Sequence, residues 1–170
     1  MTGSSRNLTA RCVCGCVVFE ATGAPIASAA CYCNDCQTAG RQIEQLPSAP
    51  KVLDTDGGTP YLLYRRDRVT CVKGSERLQE YRLKPESPTR RMVAACCNSA
   101  MLLDFTKGHW LTMVRARFAG DAPPIEMRVM TRDRPQAAQP SDDIPSYSTH
   151  AGKLMWRLLR AKIAMLLGRD

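Results

Sequence analysis

The chain has 170 residues, of which 44% are hydrophobic and 24% charged, and its net charge is +8. That length holds one domain with a hydrophobic core but not two ordinary ones, and the composition excludes a chain disordered throughout. No run of about 18 uncharged apolar residues occurs, which excludes a transmembrane helix, and the charge favours anionic partners without choosing among them.

In chain order, residues 1–9 are polar and expected to be flexible, and the opening MTGSSRNLTARC lacks the apolar core of a secretory signal. The expected address is therefore the cytoplasm, with a peripheral membrane position open, and there thiols stay reduced. The stretch ARCVCGCVVF, 10–19, reads as a Cys-Gly turn followed by a buried strand at Val17-Val18-Phe19. A loop at 22–25 leads to the small-residue run IASAACYC. The stretch 41–60 is rich in Pro and Gly and ends on an Asp-Gly-Gly turn at 56–58. Six short β-like runs follow: YLLYRR (61–66), RVTCVKG (68–74), RLQEYRL (77–83), RRMVAAC (90–96), AMLLDF (100–105) and HWLTMVRARF (109–118). Turn residues separate them at a spacing of about ten, which predicts an antiparallel, mainly β domain over 10–135 rather than βαβ units. Residues 136–150, rich in Pro, Ser and Asp, read as a linker. Residues 151–168 read as an amphipathic C-terminal helix, with Lys153, Arg157 and Arg160 on a narrow basic face and Gly168 as its stop. Such a helix either packs on its own domain or on a second copy in a homo-oligomer, or lies in a membrane surface with Trp156 and the cations at the headgroups.

Nine cysteines fall at 12, 14, 16, 31, 33, 36, 71, 96 and 97. An odd number suits a complete disulfide set poorly. Tight grouping in a reducing compartment favours zinc, with redox switching and plain buried thiols as the alternatives. Cys12-Val13-Cys14-Gly15 is one knuckle, its glycine letting the turn bend so that amides face the sulfurs. The partner knuckle lies downstream in AACCNSAM, 94–101. Cys96 and Cys97 would point to opposite faces of a strand, so both reach one ion only if the chain turns, and Asn98-Ser99 supplies the turn. Cys12, Cys14 and Cys97, with Cys96 as the fourth, form a closed and therefore structural set. Cys31, Cys33 and Cys36 in CYCNDC have no evident fourth ligand, since His109 and His150 stand alone. Three protein ligands with one open position is the pattern of catalytic zinc; the other reading joins these three to the first set or leaves them without metal. Cys16 and Cys71 read as buried strand thiols. Arg65, Arg66, Arg68, Arg90 and Arg91 are open to a ligand's carboxylates, although strand arginines usually face solvent.

The strings CVCGCVVFE and CYCNDC, followed by a later cysteine knuckle before an apolar strand, resemble the glutathione-dependent formaldehyde-activating enzyme family over roughly residues 10–118. That family's pattern runs C-x-C-G-x-V-x-F-E, then C-x-C-x-x-C followed by glycine, then C-x-x-C-G. The third motif departs from it: Ala94-Ala95-Cys96-Cys97-Asn98 stands there, as in a divergent, largely uncharacterised branch carrying CC-N-[ST]. The resemblance implies a β-tent of stacked antiparallel sheets and a structural zinc on Cys12, Cys14 and the 96–97 pair. It also implies a second zinc on Cys31, Cys33 and Cys36, whose vacant position takes the glutathione thiol. The activity implied is that of a carbon–sulfur lyase on a thiol–aldehyde adduct, with glutathione and formaldehyde as first candidates. The alternative is a non-catalytic zinc-stabilised β module whose C-terminal helix binds a membrane or a protein. Nucleic acid is disfavoured, because aromatics are 6% of the chain and do not interleave with a basic stripe.

Overall fold

A computed structural model describes residues 7–120, 122–135 and 142–169. The first six residues of the expected flexible N-terminus and residues 136–141 of the expected linker lie outside them. The fold is mainly β, with two sheets. One has three antiparallel strands in the order β1 (Leu8–Arg11), β2 (Val18–Ala21) and β5 (Val69–Lys73). The other has seven, in the order β10 (Met127–Val129), β3 (Ala27–Cys31), β4 (Thr59–Arg65), β9 (Trp110–Val114), β8 (Ser99–Phe105), β7 (Thr89–Ala94) and β6 (Leu78–Tyr81). Helix α1 (Asn34–Glu44) and helix α2 (Gly152–Leu166) complete the described elements of regular structure longer than a single turn.

Side-chain alternation along the large sheet builds two cores. On β4, Leu62 and Tyr64 face the small sheet and pack with Phe19, Met101, Met113 and Phe118. Tyr61 and Leu63 face the other way, toward Ile43 of α1 and Leu154 and Leu158 of α2. The molecule is thus layered: small sheet, large sheet, helices. β4 is buried on both faces, which is why YLLY is apolar at consecutive positions instead of alternating.

Three features differ from the sequence expectation. The segment after Cys33 forms α1, which takes in Arg41–Glu44 at the start of the Pro- and Gly-rich stretch 41–60, where no helix was expected. Its buried face is Cys36, Gln37, Ala39, Gly40 and Ile43, mostly small residues that let the helix lie close to the sheet. The large sheet also holds one parallel pair, β10 with β3, where Met127 stands opposite Ala29. Residues 142–149 run beside β10: Tyr147 N–H donates to Arg128 O at 2.9 Å, and the buried Arg128 guanidinium grips Asp142 at 2.6 and 2.8 Å. That path returns the chain to α2. The helix packs on its own domain through Leu154 and Leu158, and Arg157 is paired with Glu126.

Candidate metal centres

The knuckle at Cys12–Gly15 is the turn between β1 and β2. Gly15 N–H donates to Cys12 O at 3.0 Å, and Gly15 takes φ +72°, a region that a side chain disfavours. Val17 N–H points at Cys12 Sγ at 3.2 Å, so an amide faces the sulfur. β7 ends at Ala94 and β8 begins at Ser99, and the four residues between them turn. Cys97 N–H donates to Ala94 O at 3.2 Å, and Asn98 is left-handed at φ +51°. This turn puts Cys96 and Cys97 on one side of the chain.

The four sulfurs of Cys12, Cys14, Cys96 and Cys97 lie within 4.8 Å of one another. Cys12–Cys14 is 3.6 Å, Cys12–Cys96 is 3.9 Å, Cys14–Cys96 is 3.3 Å and Cys96–Cys97 is 4.0 Å. Four sulfurs each about 2.3 Å from one ion stand about 3.8 Å apart at the corners of a tetrahedron. These spacings fit a metal ion held by all four thiolates. Cys12 is buried while Cys14 and Cys96 are exposed, so the group is shielded on one side only. Ser99 supports it from below: its hydroxyl accepts Val13 N–H at 3.1 Å, lies 3.1 Å from Cys97 Sγ and accepts from the buried Arg117 at 3.4 Å. Burial pushes the Cys97 thiol up, but hydrogen bonds from Ser99 and Cys14 outweigh this and bring it down to about 6. Burial pushes the Arg117 guanidinium down, and the charges of Cys97 and Cys12 oppose that.

The second group sits on the opposite face of the large sheet. Cys31 ends β3, Cys33 is the N-cap of α1 and Cys36 is in its first turn; their sulfurs too lie within 4.8 Å of one another. Cys36 N–H donates to Cys33 Sγ at 3.4 Å. A thiol at a helix N-terminus ionises easily, because the first-turn amides and the helix dipole favour the anion. Here the Cys31 and Cys36 thiols add hydrogen bonds to Cys33 and hold it far below the ordinary thiol range. Cys31 is pushed far up by its contacts with Cys33 and Cys36 and by burial. Cys33 therefore carries the first negative charge of the trio. Tyr61 is buried beside the trio, with its hydroxyl 4.0 Å from Cys36 Sγ, and burial and the Cys36 charge raise the phenol well above its usual value.

The three cysteines form part of the wall of a cavity of about 380 Å³ between the large sheet and α2. That volume is in the range of small-molecule sites. The other walls are mostly apolar, among them Leu103, Phe105, Trp110, Leu154 and Leu158, with Arg91 and His150 as the basic groups. Arg91 is 5% exposed. Its guanidinium donates to Asp35 O at 3.2 Å, and among the described residues it pairs with no carboxylate. A buried cation needs a counter-charge; the cysteine thiolates and Asp35, which also lines the cavity, are the acidic groups there.

Of the five arginines open to a ligand, Arg66 and Arg90 pair with Asp104 and Arg65 pairs with Asp67, and Arg91 is the one that lines the cavity. The strand alternation held a signal for it: Arg90 and Arg91 are adjacent in a strand, so one of them points inward. His109 instead faces α2, its Nε2 lying 2.7 Å from Leu158 O. Cys16 and Cys71, read as buried strand thiols, are half-buried, and Cys16 sits in the turn before β2. Neither belongs to a ligand group. Among the described residues no helix is long and apolar enough to cross a membrane.

A family model described as a family of unknown function, DUF6151, matches residues 4–117. No curated protein matches the chain. Among solved structures, a Rhodobacter sphaeroides protein solved as a structural genomics target is similar at 16% identity and a TM-score of 0.49, with 68% of this chain and 92% of that chain covered.

Proposed function

We propose, for a chain that belongs to the DUF6151 family of unknown function, that it is a zinc enzyme of the carbon–sulfur lyase type, with glutathione and formaldehyde as the first substrates to test. The observation that carries this reading is the asymmetry between the two cysteine groups. Four sulfurs close on one another at the β1–β2 turn, whereas three sulfurs face a cavity large enough for a small molecule. Four thiolates saturate a tetrahedral ion and stabilise structure; three leave a position for a ligand. The resemblance of CVCGCVVFE and CYCNDC to the glutathione-dependent formaldehyde-activating family supports the same division.

The donor chemistry fits zinc, since soft thiolates select it and the sulfur spacings match a tetrahedral site. Cys12, Cys14, Cys96 and Cys97 would hold the structural ion, and Cys31, Cys33 and Cys36 the second. When bound there, zinc supplies a Lewis acid that keeps an added thiol ionised at neutral pH. The chain's own residues do the rest. Cys33, already stabilised as an anion by the Cys31 and Cys36 thiols and by the Cys36 amide at the α1 N-terminus, starts the site in its ionised form. Three thiolates on a divalent ion sum to −1, and Arg91 on the same wall offsets that charge before a substrate thiolate arrives. Leu103, Phe105, Trp110 and Leu158 keep water from the reacting pair. The substrate sulfur forms a bond to the carbonyl carbon, the carbonyl π pair moves to oxygen, and the proton lost by the thiol ends on that oxygen as a hydroxyl. The reverse breaks the same carbon–sulfur bond.

The test is metal content, melting temperature and adduct exchange followed by NMR. Wild type should hold two zinc ions and accelerate exchange between glutathione plus formaldehyde and their adduct. Cys33→Ser should hold one ion, melt near wild type and lose the exchange, while Cys14→Ser should melt markedly lower. A wild type that binds two ions yet accelerates no thiol–aldehyde exchange would leave the non-catalytic zinc module as the answer.

A further inference from the structure

Helix α2 has a second face, turned away from the core, that the cavity meets only at Met155. At 100° per residue, Leu154 and Leu158 point to the core, while Met155, Leu166, Leu159, Ile163 and Trp156 fall on one continuous arc of about 100° on the outside. Their exposures are 53%, 74%, 47%, 47% and 59%, so five large apolar side chains form an uncovered stripe. Cations border it on both edges, Lys162 on one and Arg160 and Lys153 on the other, and the helix carries no acidic residue.

We infer that this stripe seats the protein on an anionic lipid surface, with the helix lying in the plane of the headgroups. The charge pattern selects this occupant. A second copy of the helix would bring two cation-bordered stripes together with no carboxylate on either to answer them, an arrangement that like charges oppose. Anionic headgroups meet both cationic borders at once, while the stripe and Trp156 enter the acyl boundary. The helix is too short and too charged to cross the bilayer, so it lies in the interface. Arg157, engaged with Glu126, ties the docked helix to the domain. Met155 also lines the cavity, so docking brings that wall to the bilayer.

The experiment mixes the full, metal-loaded chain with vesicles of phosphatidylcholine alone or with phosphatidylglycerol added, and follows sedimentation and tryptophan emission. Added anionic lipid should raise the partition coefficient at least about tenfold at low salt, and high salt should reverse it. Emission should shift to the blue, and Trp156→Phe should remove the shift although Trp110 remains. Ile163→Ser with Leu166→Ser, both at exposed positions, should abolish binding while zinc content and melting temperature stay at wild-type values. Equal partition onto the two vesicle types overturns the inference, as does anionic binding that survives in the double variant. A dimer by light scattering that the double variant turns into a monomer overturns it too, and assigns the stripe to a second copy.

Discussion

Two arginines, each buried beside a different cysteine group, set the electrostatics of this molecule. Arg91 is 5% exposed on the cavity wall with Cys31, Cys33 and Cys36, and Arg117 is 8% exposed beneath Cys12 and Cys97. Among the described residues Arg117 Nε has no hydrogen-bond partner and the guanidinium reaches only Ser99, so charge explains its placement more than hydrogen bonding does. Four thiolates on a divalent ion carry −2 and three carry −1, and in a low-dielectric surrounding such charges demand compensation. Replacing Arg91 by Met should weaken zinc at the three-cysteine group by about 10–100-fold, the usual scale for a residue supporting metal ligands. It should leave the four-cysteine ion in place, and Arg91→Lys should recover part of the loss because the charge survives. Chelator competition on the variants reads this directly. An Arg91→Met protein with wild-type affinity for both ions would show that the guanidinium is not the counter-charge.

At the scale of elements, what the sequence made legible was what local pattern carries. β4 to β9 each overlap one of the six short runs cut by Gly, Pro, Ser, Asp or Asn, with β4, β7 and β8 starting one or two residues before theirs. The four-cysteine group was legible because C-x-C-G and CC-N-S each announce a turn bearing two thiols. α1 was hidden: its N-cap is a cysteine, outside the usual Ser, Thr, Asp and Asn signal, and its buried face is built from small residues that give no apolar stripe. β3, with the sequence ASAAC, was hidden for the same reason. The β10–β3 pair joins segments about a hundred residues apart in the chain, and no local pattern reports that. Arg91 was named only as one of five arginines open to a ligand, because most strand arginines face water. The turn after β5 shows how such non-local contacts hold the first knuckle. Gly74 has φ +74°, and a Cβ there would meet Cys16 O at 2.1 Å. Gly74→Ala should therefore force the Cys12–Cys16 turn away from β5, lower the melting temperature and release the four-cysteine zinc, with the three-cysteine ion retained. Retention of both ions and of the wild-type melting temperature would show that the turn tolerates the displacement. On α2 the two faces predict opposite outcomes. Leu158→Ala should cost about 2–5 kcal/mol in denaturant unfolding, and Leu166→Ala should stay within about 0.5 kcal/mol of wild type.

Across the whole molecule, the four-cysteine group joins the small sheet to the large one, and a cluster centred on Asp104 closes the far end of β8. Asp104 is buried and accepts from Arg66 and Arg90 at 2.5 and 3.0 Å. Burial pushes its carboxyl up, but the two guanidinium groups outweigh that and hold it below the ordinary carboxylate range. Its folded pKa is thus lower than its unfolded one. The stabilisation it brings is present above about pH 4, the unfolded value, and is lost as the pH falls through the folded value. Zinc release follows a separate course, because Cys31, held far up, and Cys97, at about 6, take up protons above the carboxylate range. Acid should therefore act in two stages, with metal lost first and the Asp104 cluster later. The second stage is isolated by comparing wild type with Asp104→Asn at each pH, since loss of metal affects both alike. At pH 7 the variant should be less stable by about 1–3 kcal/mol, the scale of hydrogen bonds to a charged group, with its half-exposed arginines keeping the figure below that of a fully buried pair. As the pH drops below about 4 the gap should narrow toward zero, because protonated Asp104 resembles the amide in charge. A gap that stays constant down to the acid unfolding limit would mean that packing at this position, and not its charge, is what the large sheet needs.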